Sequence, residues 1–263
     1  MDTPLTARLR DPVSLVGLAC CQDPQEASGW LKTRKMIKFM GKQDRLAVAA
    51  AALAAKQAGL SQETLQHRTG LYLVSGHIPF AEEDMLPLAQ HSTDTAGAFS
   101  MELFSGVGLD QVNPLLTFRC LPNMPIFHVS YNLGIQGPSM TSFPGLGQFY
   151  QVLEQALWAL HEDEIEVALV GAVADQNNFL VDYHWSRLGD REPRPDAAGF
   201  LVLRKGPDGL ALLRDFSLAY DGGAGPFLAW GPMDLVHQLG RSCWSHQAHT
   251  HDGYRVHSEW VPA

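Results

Sequence analysis

The stretch with most chemical content is "GPSMTSFPGLGQ", from Gly137 to Gln148. A short strand-like run leads to a tight turn at Pro144 and Gly145, and a helical pattern begins immediately afterwards. Several folds use such a strand-to-helix turn to expose a reactive Ser or Cys beside the amide groups of a helix N-terminus. The turn in this chain carries Pro, Gly and Leu. It therefore predicts either an active site whose nucleophile lies elsewhere or one that has lost its nucleophile.

A second group of candidate residues lies near the C-terminus, where one cysteine and four histidines occur within fifteen positions: Cys243, His246, His249, His251 and His257. The Cys-x2-His-x2-His spacing is compatible with zinc. The alternative is a polar, irregular tail, and this is the reading we adopt; we expect no metal and no cofactor. His77 and His128 each occur alone, and a lone histidine is more often structural than catalytic.

Composition excludes some classes of function. The chain has 263 residues, 46% apolar content and a formal net charge of -9, so it can fill a core but lacks the basic excess that nucleic-acid binding requires. The start "MDTPLTARLR" has no apolar stretch, and no run approaches the eighteen or so apolar residues of a membrane span. We expect a cytoplasmic protein with four reduced cysteines.

One segment departs from the acidic average. Six of the 19 Lys and Arg residues lie between positions 32 and 45, against the single acid Asp44: Lys32, Arg34, Lys35, Lys38, Lys42 and Arg45. The segment is either a solvated face or a docking patch for an acidic partner such as a carrier protein.

The elements that would position these residues alternate between strand and helix. Strand patterns occupy Val13 to Cys21, Thr69 to Gly76, Ile165 to Ala174 and "FLVLRK", and "DGLALLRDFSLAY" follows a Pro-Asp-Gly turn as the expected hairpin partner of "FLVLRK". The Ala-rich run that stops at Gly59 and the periodic run after Leu146 predict helices. "MPIFHVSYNLGI" remains ambiguous between helix and strand. The pattern is that of an α/β domain.

Four segments together resemble the N-terminal half of a β-ketoacyl-acyl-carrier-protein synthase of the thiolase fold. They are "KFMGKQDRLAVAAAALAAKQAGL" with "TGLYLVSG", "NMPIFHVSYNLGIQGPSMT", "QALWALHEDEIEVALVGAV" and "AAGFLVLRK". The resemblance extends over Val13 to Tyr220. It implies a mixed, mostly parallel sheet flanked by helices in a domain of residues 1–220, followed by an irregular tail of residues 221–263.

The same resemblance places the nucleophilic cysteine of the family at Leu146. Because an aliphatic side chain has no lone pair, it cannot form an acyl-enzyme. A two-residue slip of the alignment would place Gln148 there instead, but the slip needs a gap. The C-terminal half that supplies the family's two histidines and lysine has no counterpart after Tyr220.

Relatives with both features are the short chain-length factors of bacterial aryl-polyene and related pigment pathways. The resemblance therefore implies a non-catalytic subunit that pairs with a full-length catalytic ketosynthase, works with an acyl carrier protein and shapes the acyl tunnel. Two alternatives remain open: a weak decarboxylase or acyltransferase that uses Gln148 and His128, and a self-associating scaffold.

The resemblance also assigns surfaces. Family dimers pair the strand before the nucleophile across a two-fold axis, which implies a partner interface at Ser139, Met140, Thr141, Ser142 and Phe143. The tunnel-shaping positions would be Met124, Ile126, Phe127 and His128, although plain core is the alternative. Carrier docking would use Lys32, Arg34, Lys35, Lys38 and Lys42. Without a second half of the fold, an apolar layer needs cover from a partner or from the tail.

Overall fold

The computed structural model describes residue 9 and residues 11–77, 81–189 and 194–263. The strands are β1 Val13–Cys21, β2 Thr69–Ser75, β3 Ser139–Ser142, β4 Val167–Ala174, β5 Ala197–Lys205, β6 Ala211–Tyr220, β7 Ser245–His249 and β8 Tyr254–Pro262. The α-helices are α1 Lys42–Gln57, α2 Gln62–His67, α3 Glu82–His91, α4 Met101–Leu103, α5 Leu116–Cys120, α6 Met124–Leu133, α7 Gln148–His161, α8 Phe179–Arg187 and α9 Asp234–Gly240. Short 3-10 turns include Arg34–Phe39 and Gly231–Met233.

All eight strands form one mixed sheet in the order β3-β2-β4-β5-β1-β6-β8-β7. This α/β architecture confirms the thiolase-like fold class. The expectation of a mostly parallel sheet is wrong, because among the described strands only the pairs β2–β3 and β2–β4 are parallel and every other neighbouring pair is antiparallel. The two parallel pairs are joined through helices, whereas β5, β6 and β8 return beside strands of opposite direction.

The hairpin predicted between β5 and β6 is also wrong, because β1 lies between them and pairs with both. The Pro-Asp-Gly turn instead carries the chain over β1. The amide of Gly206 donates to Pro12 O and that of Leu210 to Leu15 O. A Cβ on Gly209 would lie 2.5 Å from Leu15 O, so only glycine allows this close crossing.

Helices cover both faces of the sheet. Strand β4 is buried throughout, and its side chains alternate between two cores: Val170 and Ala172 pack in the core that contains α7, and Leu169 and Val173 in the core that contains α1. This alternation follows from the two-residue period of a strand. The fully buried strand explains its nearly continuous apolar sequence.

The local signals for helices are confirmed. The Ala-rich helix α1 is followed by Gly59 at φ +62°, and its small side chains allow close contact with β1, where a Cβ on Gly17 would lie 2.4 Å from Ala54 O. The ambiguous segment from Met124 is a helix, α6, with Pro125 in its first turn and the left-handed Gly134 at its end. Helix α7 begins at Gln148, directly after the turn that contains Leu146.

The expectation of an irregular C-terminal tail is wrong. Strand β8 pairs with β6 from Ala211↔Pro262 to Tyr220↔Tyr254, and β7 pairs with β8 at the sheet edge. Met233, Leu235 and Trp260 are buried in the same core as α7. The C-terminal segment thus covers apolar surface on this face of the sheet. Strands on both sides of the boundary expected at residue 220 share one sheet.

Candidate functional site

The strand-to-helix turn lies at the wall of a cavity of about 200 Å³. The cavity is located where β2 and β4 end, between the turn, helix α8 and the loop that joins β7 to β8; its lining includes Gly76, Leu146, Asp175, Trp185 and His251. The ends of parallel strands are the usual position of a ligand site in an open α/β sheet. The sequence-predicted site therefore coincides with a real concave feature.

Leu146 lines this cavity and is itself only 7% exposed. Its isobutyl group stands directly before α7, at the position where the resemblance puts a thiol. The side chain offers dispersion contacts and no nucleophile. The Leu146 side chain can therefore shape the cavity but cannot attack a thioester.

The carboxylate of Asp252 caps the N-terminus of α7. Both of its oxygens accept from the amide of Gly147, at 2.9 Å for Oδ1 and 3.1 Å for Oδ2. A carboxylate is favoured there because the helix dipole and the unpaired amides place positive charge at this end. Asp252 thus binds an amide beside the turn that would otherwise be available to a substrate oxygen.

Further contacts fix this loop against α7. The ring of Tyr254 packs on the backbone of Gly147, where a Cβ would lie 2.0 Å from the ring, and its hydroxyl accepts from Gln151 Nε2. The hydroxyl of Tyr150 lies 2.7 Å from His246 Nε2, and both side chains are buried. Burial raises the pKa of Tyr150 well above its usual value and lowers that of His246 to about 4. The pair is therefore a neutral buried contact.

The two residues of the proposed alternative enzyme do not meet in this cavity. Gln148 Oε1 accepts from the hydroxyl of Ser142 at 2.7 Å, which braces the turn. His128 is fully buried on α6, and neither residue lines the cavity. The structure therefore gives no support to an oxyanion pocket built from Gln148 and His128.

His128 faces Asp44 instead, with Nε2 3.9 Å from Oδ2. Both side chains are almost completely buried. Burial lowers the pKa of His128 to about 4 and raises the pKa of Asp44 to about 8. Both groups are then mainly uncharged at neutral pH, which agrees with a place in the core.

The raised pKa of Asp44 predicts a loss of stability in mildly alkaline solution. His128 and the other titrating groups are present in both the wild type and Asp44→Asn, so the difference between the two stability profiles reports on Asp44. From pH 6.5 to about pH 8 the unfolded chain has released the Asp44 proton and the folded chain retains it, so stability falls as the pH rises. At about 1.4 kcal/mol per pH unit, the wild type should lose about 2 kcal/mol relative to Asp44→Asn. Urea unfolding of both proteins at pH 6.5 and pH 8 measures this, and parallel profiles would contradict it.

The basic segment is divided by the structure. Lys32, Arg34, Lys35 and Lys38 are exposed on and beside the 3-10 turn Arg34–Phe39. Lys42 differs, because its Nζ lies 3.0 Å from carboxylate oxygens of both Asp175 and Asp196. Its charge is compensated within the chain, so the carrier-docking assignment of Lys42 is not supported.

The expected interface residues lie on and beside an exposed edge strand. Within the part of the chain that the structure describes, strand β3 pairs only with β2. Its residues Ser139, Met140 and Thr141 are exposed and Ser142 is half-buried. Phe143 follows, 47% exposed. An unpaired edge of this kind readily accepts another strand.

Of the four positions expected to shape the tunnel, one is exposed. Phe127 is 44% exposed and stacks on Tyr131. Met124 and His128 are buried within the chain, and Ile126 packs against the core around α1. These three side chains therefore contact the core of this chain.

The C-terminal histidines have separate positions. His246 contacts Tyr150, His249 lies 3.4 Å from Asp221, and His257 lies 3.6 Å from Asp215. His251 lines the cavity. The described part of the chain contains no cluster of His, Cys, Asp and Glu suited to a metal ion.

The sequence did not identify Asp252, Tyr254 or the aromatic side chains His184 and Trp185 of α8 as residues of the site. One local signal existed, since Asp252-Gly253 is a turn dipeptide and Gly253 has φ +90°. It indicates the loop between β7 and β8, but not its contact with α7, 105 residues away.

The sheet order and the turn before α7 define a thiolase-like α/β protein. A family model described as the N-terminal domain of beta-ketoacyl synthase matches residues 17–189. Because this match extends over more than half of the sequence, the chain belongs to the beta-ketoacyl synthase N-terminal-domain family. A comparison with curated proteins gave no match.

Solved structures resemble this chain in fold at low identity. A chain from the AntDE:AntF complex, described as a type II PKS acyl-carrier protein in complex with its ketosynthase bound to the hexaketide, matches with TM-score 0.71 and 13% identity, over 97% of this chain and 100% of that one. The ishigamide ketosynthase/chain length factor matches with TM-score 0.59 and 18% identity, over 82% of this chain and 65% of that one. A beta-ketoacyl synthase from Burkholderia phymatum STM815 matches with TM-score 0.60 and 15% identity, over 81% and 65%.

Among the described helices, none has the length and apolar character needed to cross a lipid bilayer.

Proposed function

We propose that this chain is a non-catalytic chain-length-factor subunit that pairs with a catalytic ketosynthase and shapes its acyl tunnel, in a pathway of the aryl-polyene type. The observation that carries the proposal is Leu146 in the cavity wall at the nucleophile position. Without a thiol there, the chain cannot hold the growing acyl group, and the partner must do so.

The edge strand β3 supports the pairing. Its outer edge is unpaired and Met140 and Phe143 are exposed beside it. Strand addition across this edge would satisfy backbone groups and bury both side chains. Two of the solved relatives are described as a ketosynthase with a carrier protein and as a ketosynthase/chain length factor. They favour a partner of that class for this chain.

The remaining assignments follow from exposure. Phe127 is the tunnel-shaping residue, since it alone among the four candidates projects from the surface. Lys32, Arg34, Lys35 and Lys38 form the docking patch for the acidic carrier protein, because their charges have no carboxylate partner within the described residues.

Co-expression with a full-length ketosynthase and a carrier protein, followed by size-exclusion chromatography with light scattering, tests the pairing. We expect a 1:1 complex for the wild type and separate peaks for Met140→Asp. The matched control is Leu188→Asp, which changes an apolar side chain of similar exposure at the end of α8 and should leave the complex intact.

Intact-mass analysis of the complex incubated with labelled acyl thioester tests the absence of catalysis. The label should appear on the ketosynthase and not on this chain. A covalent acyl adduct on this chain would contradict the proposal, as would a stable monomer that does not bind the ketosynthase. A homodimer would instead favour the self-associating scaffold.

A further inference from the structure

The cavity beside Leu146 has an aromatic wall that the proposed function does not use. Five rings follow one another: His77 lies 5.0 Å from His184, His184 lies 5.0 Å from Trp185, Trp185 lies 4.5 Å from Phe227, and Phe227 lies 4.2 Å from His251, measured between ring centroids. All but Phe227 line the cavity. Phe227 packs behind Trp185 and His251.

The imidazoles in this wall are available for hydrogen bonding. Within the described residues, the ring nitrogens of His77, His184 and His251 have no hydrogen-bond partner and take part in ring contacts only. A neutral imidazole offers one donor and one acceptor, so these rings, of which His184 is exposed and His77 and His251 are half-buried, can bind a polar group of a ligand in place of water. Burial and the neighbouring His184 lower the pKa of His77, which keeps its ring neutral.

The charges around the cavity disfavour an anionic ligand. Asp175 and Asp252 both line it. Lys42 forms ion pairs with both Asp175 and Asp196. The guanidinium of Arg194 lies over the Trp185 ring, 4.7 Å from its centroid. These side chains carry one more negative than positive charge in total. The amide of Gly147, an obvious anion-binding group, is already bound by Asp252.

The volume limits the size of the ligand. An engineered apolar cavity of about 150 Å³ holds one benzene molecule. A cavity of about 200 Å³ therefore accommodates a single six-membered ring with one small substituent. The apolar side chains of Leu146 and Val181 complete the surface against which such a ring would pack.

We propose that this cavity is a binding site for an uncharged, phenol-sized aromatic molecule, whose ring packs among Trp185, Leu146 and Val181 and whose hydroxyl hydrogen-bonds to the imidazoles of His184 and His251. This inference concerns the isolated chain and does not require the pairing described under the proposed function.

Calorimetric or NMR titration of the full chain with phenol tests the site, with toluene, benzoate and benzylamine as comparison probes. Phenol should bind saturably. Toluene, which lacks the hydroxyl, should bind about tenfold more weakly, the equivalent of one hydrogen bond. Benzoate should bind more weakly still, because its charge faces Asp175 and Asp252.

Variants identify the residues. His184→Ala and His251→Ala should each weaken phenol binding about tenfold, while His67→Ala, an exposed histidine on α2, should have no effect. Leu146→Trp should abolish binding by filling the cavity. Because His251 lies in the loop that caps α7, a second measurement is made on the wild type, without any substitution. The NMR shifts of the ring nitrogens of His184 and His251 should change on addition of phenol.

Three results would overturn the site: no saturable binding of phenol, equal affinity in the histidine variants and the wild type, or tighter binding of benzoate or benzylamine than of phenol. None of these depends on ketosynthase pairing, so the two proposals fail separately.

Discussion

Deletion of residues 221–263 is expected to abolish cooperative unfolding of this chain. The deletion removes β7, β8 and α9 and exposes the core side chains that pack against Met233, Leu235, Val236 and Trp260. It also leaves β6 as an unpaired edge along nine registered positions. A domain stable by only about 5–15 kcal/mol cannot lose so much buried apolar surface. Urea denaturation and size-exclusion chromatography of residues 1–220 measure the result.

Two point variants provide a graded test of the same contact. Trp260→Ala removes a side chain that is 2% exposed and should cost about 3–5 kcal/mol. Leu210→Ala, at a position 40% exposed beside β6, should change stability by less than about 0.5 kcal/mol. A monomeric fragment of residues 1–220 with a sharp unfolding transition would show that the C-terminal segment is an appendage.

Replacement of Leu146 with Cys is not expected to restore a reactive thiolate. The carboxylate of Asp252 is bound to the amide of the next residue, Gly147, and its negative charge raises the pKa of a thiol placed beside it. In Leu146→Cys with Asp252→Asn the charge is removed while an amide oxygen can still accept from Gly147. We expect iodoacetamide to label Cys at position 146 about tenfold faster in the double variant at neutral pH, a difference of one pKa unit.

Peptide mass spectrometry resolves this labelling from that of the native cysteines. Cys243, which is exposed, serves as the internal reference because its rate should be the same in both proteins. Equal labelling at position 146 in the single and double variants would mean that Asp252 has no electrostatic effect on the turn. Rapid labelling of the single variant would mean that loss of the thiol is the only defect of the site.

The sequence identified those parts of the fold that have strong local signals. Strand β4 is buried on both faces and therefore reads as a continuous apolar run, and α7 has one buried face at helical spacing. The β5–β6 connection misled prediction because the same turn chemistry serves a hairpin and a crossing over β1. Only the position of β1 distinguishes these two connections. This strand contacts the turn through the hydrogen bond from the Ser14 hydroxyl to Gly206 O, between residues 192 positions apart in the sequence.

The C-terminal strands were missed because their signal is long-range. In β8 the buried positions include Ser258 between Val256 and Trp260, and β7 has the polar sequence Ser-His-Gln-Ala-His. Neither resembles a strand until its neighbour is in place, β6 beside β8 and β8 beside β7. The site also combines local and long-range signals. The local turn motif predicted Leu146 at the nucleophile position, whereas Asp252 contacts the turn from a distant loop that no local pattern connects to it.

The central position of β1 has a consequence for biosynthesis. This strand, a mainly apolar segment interrupted by Ser14 and Gly17, pairs with β5 and β6, which are translated much later. Until those residues emerge, the nascent chain carries an unpaired, aggregation-prone segment. We therefore expect that shielding of β1 by chaperones during translation favours productive folding.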